Sequence, residues 1–467
     1  MRMGRVNPMR TRVGLAALFI GVAVLECLPA ARERAKVCPT LLVARPAIAH
    51  SGLGGYSPTQ IRHAYGFDTV AAQGTGQVIA IVDAFGSPTI QGDFQTFCNH
   101  FGLPFSSSTL TVAFSGAQPT SSDGGWGYEA TMDSEWAHAI APQAKILLVI
   151  TPTASLGDLL AGVDFATNYR DPATGQTPLQ VSMSWGTPEF SGETSFDSHF
   201  SDQRVSYFAA TGDNGAGAFW PAASPFVIGI GGTTLNLNPL GSVASETGWS
   251  QSGGGKSAFE TEPGFQHNVQ SSGMRETPDV SYDADPNTGF AVFDSTAFNG
   301  ISGWSIGGGT SAGAPQWAAL AAIVNSQRST PLSGIPWALY AAPYGSSFRD
   351  VTSGSNGTNT AGTGYDEVTG LGSPLAAGLA SSLDGAGPPP PPPPPPPPAP
   401  PAPAPTAPLP PPGSPPPGPT PSGFTGTGGG GGGSSCALSS GVSSATGLPV
   451  LALVFALVAL RKRTLSH

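Results

Sequence analysis

Short runs of uninterrupted apolar, largely β-branched residues recur through the middle of the chain. Residues 77–83 (Gln-Val-Ile-Ala-Ile-Val-Asp) form the first and end on an acidic side chain just before Gly86. Residues 145–150, 179–184, 205–210 and 226–230 continue the series. Between them, residues 90–101, 129–140, 156–168 and 196–203 carry helix-like patterning, and an alanine-rich helix is expected over 318–326. Strands alternating with helices predict an α/β fold, a parallel sheet with helices on both faces. Strands apolar at every position fit burial on both sides. In such sheets functional groups gather beyond the carboxyl ends of the strands. Asp83, Trp185 and Asp213 sit at or just past such ends.

The pattern breaks at both ends of the 467-residue chain. Arg2, Arg5, Arg10 and Arg12 precede an uncharged run over 13–25, and the small residues Pro29-Ala30-Ala31 follow. This is the order of a secretory signal peptide, expected over 1–31; an uncleaved anchor is the alternative. The run is shorter than the ~20 residues of a membrane span. A short N-terminal segment, 32–55, leads to a folded body over 56–385. Residues 388–421 are nearly all proline and alanine, which predicts a stiff polyproline II rod. With the glycine run at 428–433 they form a linker over 388–435. The tail, 436–467, opens at Cys436, continues with an apolar stretch over 448–460, and closes on Arg461-Lys462-Arg463. That order resembles bacterial C-terminal sorting tails. A plain membrane anchor is the alternative, and both place the body outside the cytoplasm.

Charge changes the picture further. Residues 50–387 hold 27 acidic and 8 basic side chains, a net −19, against −10 for the whole chain. Phosphate binding needs clustered Lys and Arg, so nucleic acid is not an expected partner. An acidic body fits an exported protein and one suited to low pH, where protonated carboxyls limit self-repulsion. The four cysteines, Cys27, Cys38, Cys98 and Cys436, match no metal or redox spacing. A Cys38–Cys98 disulfide suits an exported protein but does not follow from the sequence.

The candidate chemistry centres on Ser311 in Gly308-Gly309-Thr310-Ser311-Ala312-Gly313-Ala314-Pro315. The segment leads into the alanine-rich helix, so Ser311 falls at a helix N-terminus, where free N–H groups favour a developing anion. A hydroxyl nucleophile needs an adjacent base. Gly309-x-Ser311-x-Gly313 also matches the hydrolase elbow, but that fold needs a histidine later in the chain. The only later histidine is His467, the last residue. The alternative base is a carboxylate pair. Glu129 and Asp133, four apart in the helical stretch, share a helix face. In a dry site such a pair shares a proton and raises one pKa; a solvated surface pair is the ordinary alternative. His138 is a rival base on another part of the turn. Asp213, in Thr211-Gly212-Asp213-Asn214-Gly215, is either a turn residue or, protonated, a donor to an oxyanion. Asp350-Val351 and Gly362-Thr363-Gly364-Tyr365-Asp366 offer hard oxygen ligands suited to calcium.

In combination these residues resemble the sedolisin family of serine-carboxyl peptidases, relatives of subtilisin with a Ser-Glu-Asp triad. The likeness runs from about Tyr56 to Pro374. It includes residues 56–66 (Tyr-Ser-Pro-Thr-Gln-Ile-Arg-His-Ala-Tyr-Gly), 181–186 (Val-Ser-Met-Ser-Trp-Gly), 252–255 (Ser-Gly-Gly-Gly), 278–281 (Pro-Asp-Val-Ser) and 369–374 (Thr-Gly-Leu-Gly-Ser-Pro). The resemblance implies a subtilisin-like fold, Ser311 as nucleophile, Glu129 as general base, Asp133 as its partner and Asp213 at the oxyanion. It also implies one structural calcium ion on the side chains of Asp350 and Asp366 and the carbonyls of Val351, Gly362 and Gly364. Asp83 takes a position where relatives carry an acidic residue supporting the glutamate. The strand over 181–184 and Gly253–Gly255 would flank an extended substrate. The implied protein is a monomeric, surface-tethered acid endopeptidase acting on proteins or peptides; a catalytically silent adhesin on the same fold is the alternative. Relatives commonly carry a large N-terminal prodomain, whereas about thirty residues separate the signal region from Tyr56 here.

Overall fold

The computed structural model describes residues 38–39, 42–46, 54–239 and 241–387, the first two stretches as backbone strands only. The expected signal peptide, the linker over 388–435 and the tail over 436–467 lie outside the described residues, as does most of segment 32–55. Among the described residues no helix is long and apolar enough to cross a membrane.

Two short strands, β1 (Cys38–Pro39) and β2 (Leu42–Pro46), precede helix α1 (Pro58–Ala64). Local chemistry dictates where α1 starts. Ser57 accepts the Gln60 N–H, the Gln60 side chain reaches back to the Ser57 N–H, and Pro58 occupies the first turn. This reciprocal cap satisfies two donors that the helix leaves free.

The central sheet follows from β3 (Val78–Ala84), α2 (Ile90–Phe101), β4 (Leu110–Phe114), α3 (Gly124–Ile140), β5 (Lys145–Thr151), α4 (Leu156–Asn168) and β6 (Gln180–Met183). It continues through β7 (Trp185–Pro188), β8 (Ser206–Ala210), β9 (Phe219–Trp220), β10 (Val227–Leu237) and β11 (Val243–Gly248). Its order is β11-β10-β8-β6-β3-β5-β4, parallel except for the β10–β11 pair. The expected α/β class, a subtilisin-like parallel sheet with helices on both faces, is the observed one. Every residue of β3 is buried. Ile79 and Ile81 join a core with α2, α3 and the later helix α5, while Val78, Ala80 and Val82 join a second core with α4. Each of these isoleucines and valines contributes ~1.5–3 kcal/mol by leaving water.

A second, antiparallel layer of strands follows: β12 (Gly255–Thr261) with β13 (Met274–Thr277), and β15 (Phe290–Phe298) with β16 (Ile301–Gly308). Between them β14 (Val280–Asp283) extends the main sheet beside β10. Helix α5 (Gly313–Asn325) then returns through the core, buried along its whole length. β1 pairs with β7 (Cys38 opposite Gly186), and β2 pairs with β16 (Leu42 opposite Gly308).

Two expected boundaries move. The helix expected over 129–140 begins at Gly124, because the Asp123 carboxylate caps the Gly125 and Trp126 N–H groups at 2.9 and 3.1 Å. The helix expected over 196–203 is a 3-10 helix, Glu193–Phe200, entered through Gly192 at φ +92°.

Candidate active site

Helix α3 is buried on every side, yet it carries Glu129, Asp133, Glu135 and His138, all without exposed surface. Burying a carboxylate without a partner is costly, so such groups hold their protons. Desolvation raises Glu129 well above the carboxylate range, and the neighbouring charges of Asp133 and Asp83 push it further. Asp133 is raised in the same way, by burial first and by Asp83 next. Asp83, at the end of β3, is pushed up to about 8 by burial, and neither of its oxygens has a hydrogen-bond partner. Glu129 and Asp133, with Asp83 beside them, titrate together rather than independently.

Ser311 lies in a tight turn, Thr310–Ala312, immediately before α5. Its hydroxyl is near enough to lower the proton affinity of Glu129, although no bond of ordinary length and angle joins them. Ser184, in the one-residue gap between β6 and β7, links the two halves of the site. Its hydroxyl donates to Asp133 Oδ2 at 2.6 Å and lies 3.1 Å from the Ser311 carbonyl oxygen. Beyond β8, Asp213 Oδ1 accepts from the Thr310 N–H at 2.8 Å and the Thr310 hydroxyl at 2.9 Å. The Gly212 N–H donates to the same hydroxyl at 3.1 Å. Asp213 Oδ2 is left free, and burial pushes this carboxyl up to about 7. The structure thus brings Ser311, Glu129, Asp133 and Asp213 together around one point.

His138 is elsewhere. Its Nε2 meets the Pro104 carbonyl at 2.8 Å, its ring packs on Phe94 of α2, and burial lowers it to about 4. Ser311 has no exposed surface, and β1 and β2 pair with strands on either side of it, one at Trp185 and Gly186, the other at Gly307 and Gly308. Gly253 packs so tightly on the Thr211–Gly212 backbone that a Cβ there would lie 1.8 Å from the Thr211 oxygen. No other residue fits that approach.

No family model matches the chain. It is 32% identical over 417 residues to kumamolisin of Bacillus sp. (strain MN-32), a match covering 81% of this chain and 73% of that one. The chain belongs to the sedolisin family. A solved structure of Pseudomonas sedolisin, a serine-carboxyl proteinase, superposes with a TM-score of 0.61 at 26% identity over 71% of this chain and 99% of that one. A more distant sedolisin-family relative, tripeptidyl-peptidase SED2 of Arthroderma otae, is 28% identical over 341 residues, covering 60% of this chain and 52% of its own length.

Two features of this sedolisin-family chain escaped sequence reasoning. Ser184 was read only as part of a strand flanking substrate, and Thr310 only as part of the serine motif. The two contacts join residues 51 and 97 positions apart, and no local pattern encodes them. Cys98 is a free thiol buried in α2, pushed up to about 12 by burial and the nearby Glu135.

The residues expected to hold calcium lie in one loop cluster. Asp350 accepts the Gly364 N–H at 3.2 Å on each oxygen, and Asp366 Oδ2 accepts the Gly362 N–H at 2.9 Å. The Thr369 hydroxyl lies 3.5 Å from the Val351 carbonyl and 3.2 Å from Asp366 Oδ1. Among the described residues no cluster of three or more His, Cys, Asp or Glu side chains could hold a metal. Two carboxylates supplemented by carbonyls are nevertheless a hard-oxygen donor set that fits calcium.

Proposed function

We propose that this protein is an acid serine-carboxyl endopeptidase that cleaves peptide bonds through an acyl-enzyme on Ser311. The observation that supports it is the convergence of Ser311, Glu129, Asp133 and Asp213 in one buried site. Ser311 Oγ attacks the peptide carbonyl while its proton passes to Glu129. Asp133, held by Ser184, orients Glu129 and shares its charge, the triad logic with carboxylates. Asp213 donates from Oδ2 to the developing oxyanion, which requires it to be neutral. Glu129 then returns the proton to the leaving amine, and a water hydrolyses the ester by the same steps in reverse.

The protonation states define a window. The base needs one ionised carboxyl among Glu129, Asp133 and Asp83, whose raised proton affinity sets the acid limb of activity. Asp213 has to keep its proton, which sets the alkaline limb. Activity therefore falls as pH rises through about 7, where Asp213 ionises.

Asp350, Asp366 and the carbonyls of Val351, Gly362 and Gly364 would hold one calcium ion, which would cross-link the loop over 350–366. The N-terminal basic and apolar order and the Pro-rich, apolar and basic C-terminal order support export and tethering at the cell surface. Protein or peptide substrates follow from the family. The similarity to a tripeptidyl-peptidase keeps stepwise removal of tripeptides as a second reading.

The test is digestion of a denatured protein over a pH series from ~4 to ~7, with every cut site mapped, by the full chain and by Ser311→Ala and Glu129→Gln. Internal cuts by the full chain, absent with both variants, are expected. Full activity in either variant would refute the mechanism, and cuts only in three-residue steps from the N-terminus would establish the tripeptidyl reading.

A further inference from the structure

A second cluster of carboxyls sits apart from Ser311, where three elements meet. Glu189 directly follows β7. Its Oε1 accepts the Ser257 hydroxyl in a short hydrogen bond, and its Oε2 accepts the Ala258 N–H at 2.9 Å. Both donors are on β12. Glu193, at the start of the 3-10 helix and without exposed surface, accepts the Phe190 N–H on Oε2 at 2.7 Å. Its Oε1 has no hydrogen-bond partner, and the neighbouring Glu189 carboxyl adds to the rise of its pKa.

The placement gives this contact a consequence. β7 pairs with β1 and β9, and β12 pairs with β13; no strand pairing joins β7 to β12. Yet both border the proposed site. β7 begins beside Ser184. The chain entering β12 packs on the loop that carries Asp213, through the Gly253 N–H to the Gly212 carbonyl at 2.6 Å and reciprocal bonds between Gly254 and Gly217 at 2.8 and 3.0 Å. Glu189 is therefore a direct tie between the two walls.

We propose that Glu189, braced by Glu193, is a positioning clasp that holds β7 and β12 at the spacing a bound peptide requires. The proposal rests on the peptidase reading for its effect on substrate, but not for the clasp itself. Neither carboxyl is placed to touch the reacting atoms; both act through the walls.

The surroundings make the clasp sensitive to pH. Glu193 is faced by Glu189 and by Glu260 of β12, and Glu260 in turn is faced by Glu189, by Asp197 of the same 3-10 helix as Glu193 and by Arg275 of β13. Arg275 is the one cation of the group and is already paired with Asp279 at 2.8 and 2.5 Å. Burial and Glu189 push Glu193 up to about 8, and burial with Asp197 and Glu189 pushes Glu260 to about 7. In acid Glu193 is neutral and puts no negative charge beside Glu189, which accepts from Ser257 and Ala258 of β12. Once Glu193 ionises, its negative charge faces the Glu189 carboxyl and the tie loosens. A carboxyl raised by folding stabilises the folded arrangement below its unfolded pKa, and that stabilisation is lost as pH rises toward about 8.

The test uses the full chain, with Glu189→Ala, Glu189→Gln and Glu193→Gln. Amide hydrogen exchange of residues 255–261 reads the clasp without turnover. In the wild type, protection there should fall as pH rises through about 8, beyond the intrinsic pH effect. Glu193→Gln, a donor that cannot ionise, should keep protection above that pH. Glu189→Ala should lose protection at every pH and raise KM for a peptide about 10-fold with less change in kcat, and Glu189→Gln should fall between. The clasp is refuted if Glu189→Ala and Glu189→Gln both leave exchange and KM unchanged. It is equally refuted if the exchange profile of Glu193→Gln superposes on the wild type. A wild type with the expected exchange but no hydrolysis would support the clasp and refute the peptidase reading.

Discussion

Replacing Asp213 by asparagine separates the two jobs assigned to that side chain. Oδ1 anchors the turn before Ser311 by accepting from the Thr310 N–H and hydroxyl at 2.8 and 2.9 Å. Oδ2, free of partners, is the atom proposed to donate to the oxyanion. An asparagine keeps an acceptor for Thr310 and offers an N–H₂ where the neutral acid offers O–H, and it does so at any pH. Alanine removes both functions. Loss of one oxyanion donor costs ~10²–10³ in kcat, about 2.7–4 kcal/mol. Asp213→Ala should lose at least that much, since the Thr310 anchor goes as well. Asp213→Asn should stay within ~10-fold of the wild type in acid, because its hydrogen bond is neutral in both cases. The sign of the pH effect follows from the raised pKa. Wild-type Asp213 is neutral below about 7 and loses its donor above it, so kcat/KM falls through that pH. In Asp213→Asn that limb should move upward or vanish, because an amide does not titrate. The assay is kcat/KM for one peptide from acid to neutral pH, with near-ultraviolet circular dichroism to establish that each variant is folded. A folded Asp213→Asn as inactive as Asp213→Ala, or an alkaline limb unmoved from the wild type, would refute the neutral-donor role.

Three further outcomes can be measured. Ser184→Ala removes the donor to buried Asp133; a hydrogen bond to a charged group is worth ~1.5–3 kcal/mol, so kcat should drop by roughly 10- to 100-fold with little change in KM. Removal of divalent cations by a chelator should lower Tm and expose the loop over 350–366 to proteolysis, with calcium restoring both; an unchanged melting curve would argue against the site. Tm should be highest near ~pH 4 and fall as pH rises toward 8, because carboxyls raised by folding bind protons that the unfolded chain has released above ~4. Glu135→Gln should soften that fall, since Glu135 is raised by burial and by Asp93 and Asp294 and faces no cation.

The main sheet was legible because its strands are buried on both sides and so read as apolar runs; 77–83 in the sequence is Val78–Ala84 in the fold. The carboxyl pair was legible because a helix places residues four apart on one face whatever surrounds it. The start of α3 was hidden by Gly124 and Gly125, which discourage a helix until Asp123 caps it. Strands β12, β15 and β16 gave no readable run, since buried and exposed positions mix along each of them. Ser184 and Glu189 act across distances in sequence that only the closed fold brings together.

One property joins what was legible to what was not. The body holds 27 acidic side chains against 8 basic ones, a surplus visible in the sequence. The fold adds that its only fully buried arginine, among the described residues, is committed to Asp279. Glu129, Asp133, Glu135, Glu193 and Asp283 are thus buried with no ion-pair partner, and desolvation raises every one of them. Two explanations compete for a site that depends on neutral carboxyls. Either it is tuned alone inside an ordinary fold, or it inherits its condition from the whole domain. The scatter of these groups over α3, β14 and the 3-10 helix favours the second. A single substitution then shifts the pH range of catalysis only if it acts on the protons of the site, whereas the pH range of the fold yields only to several.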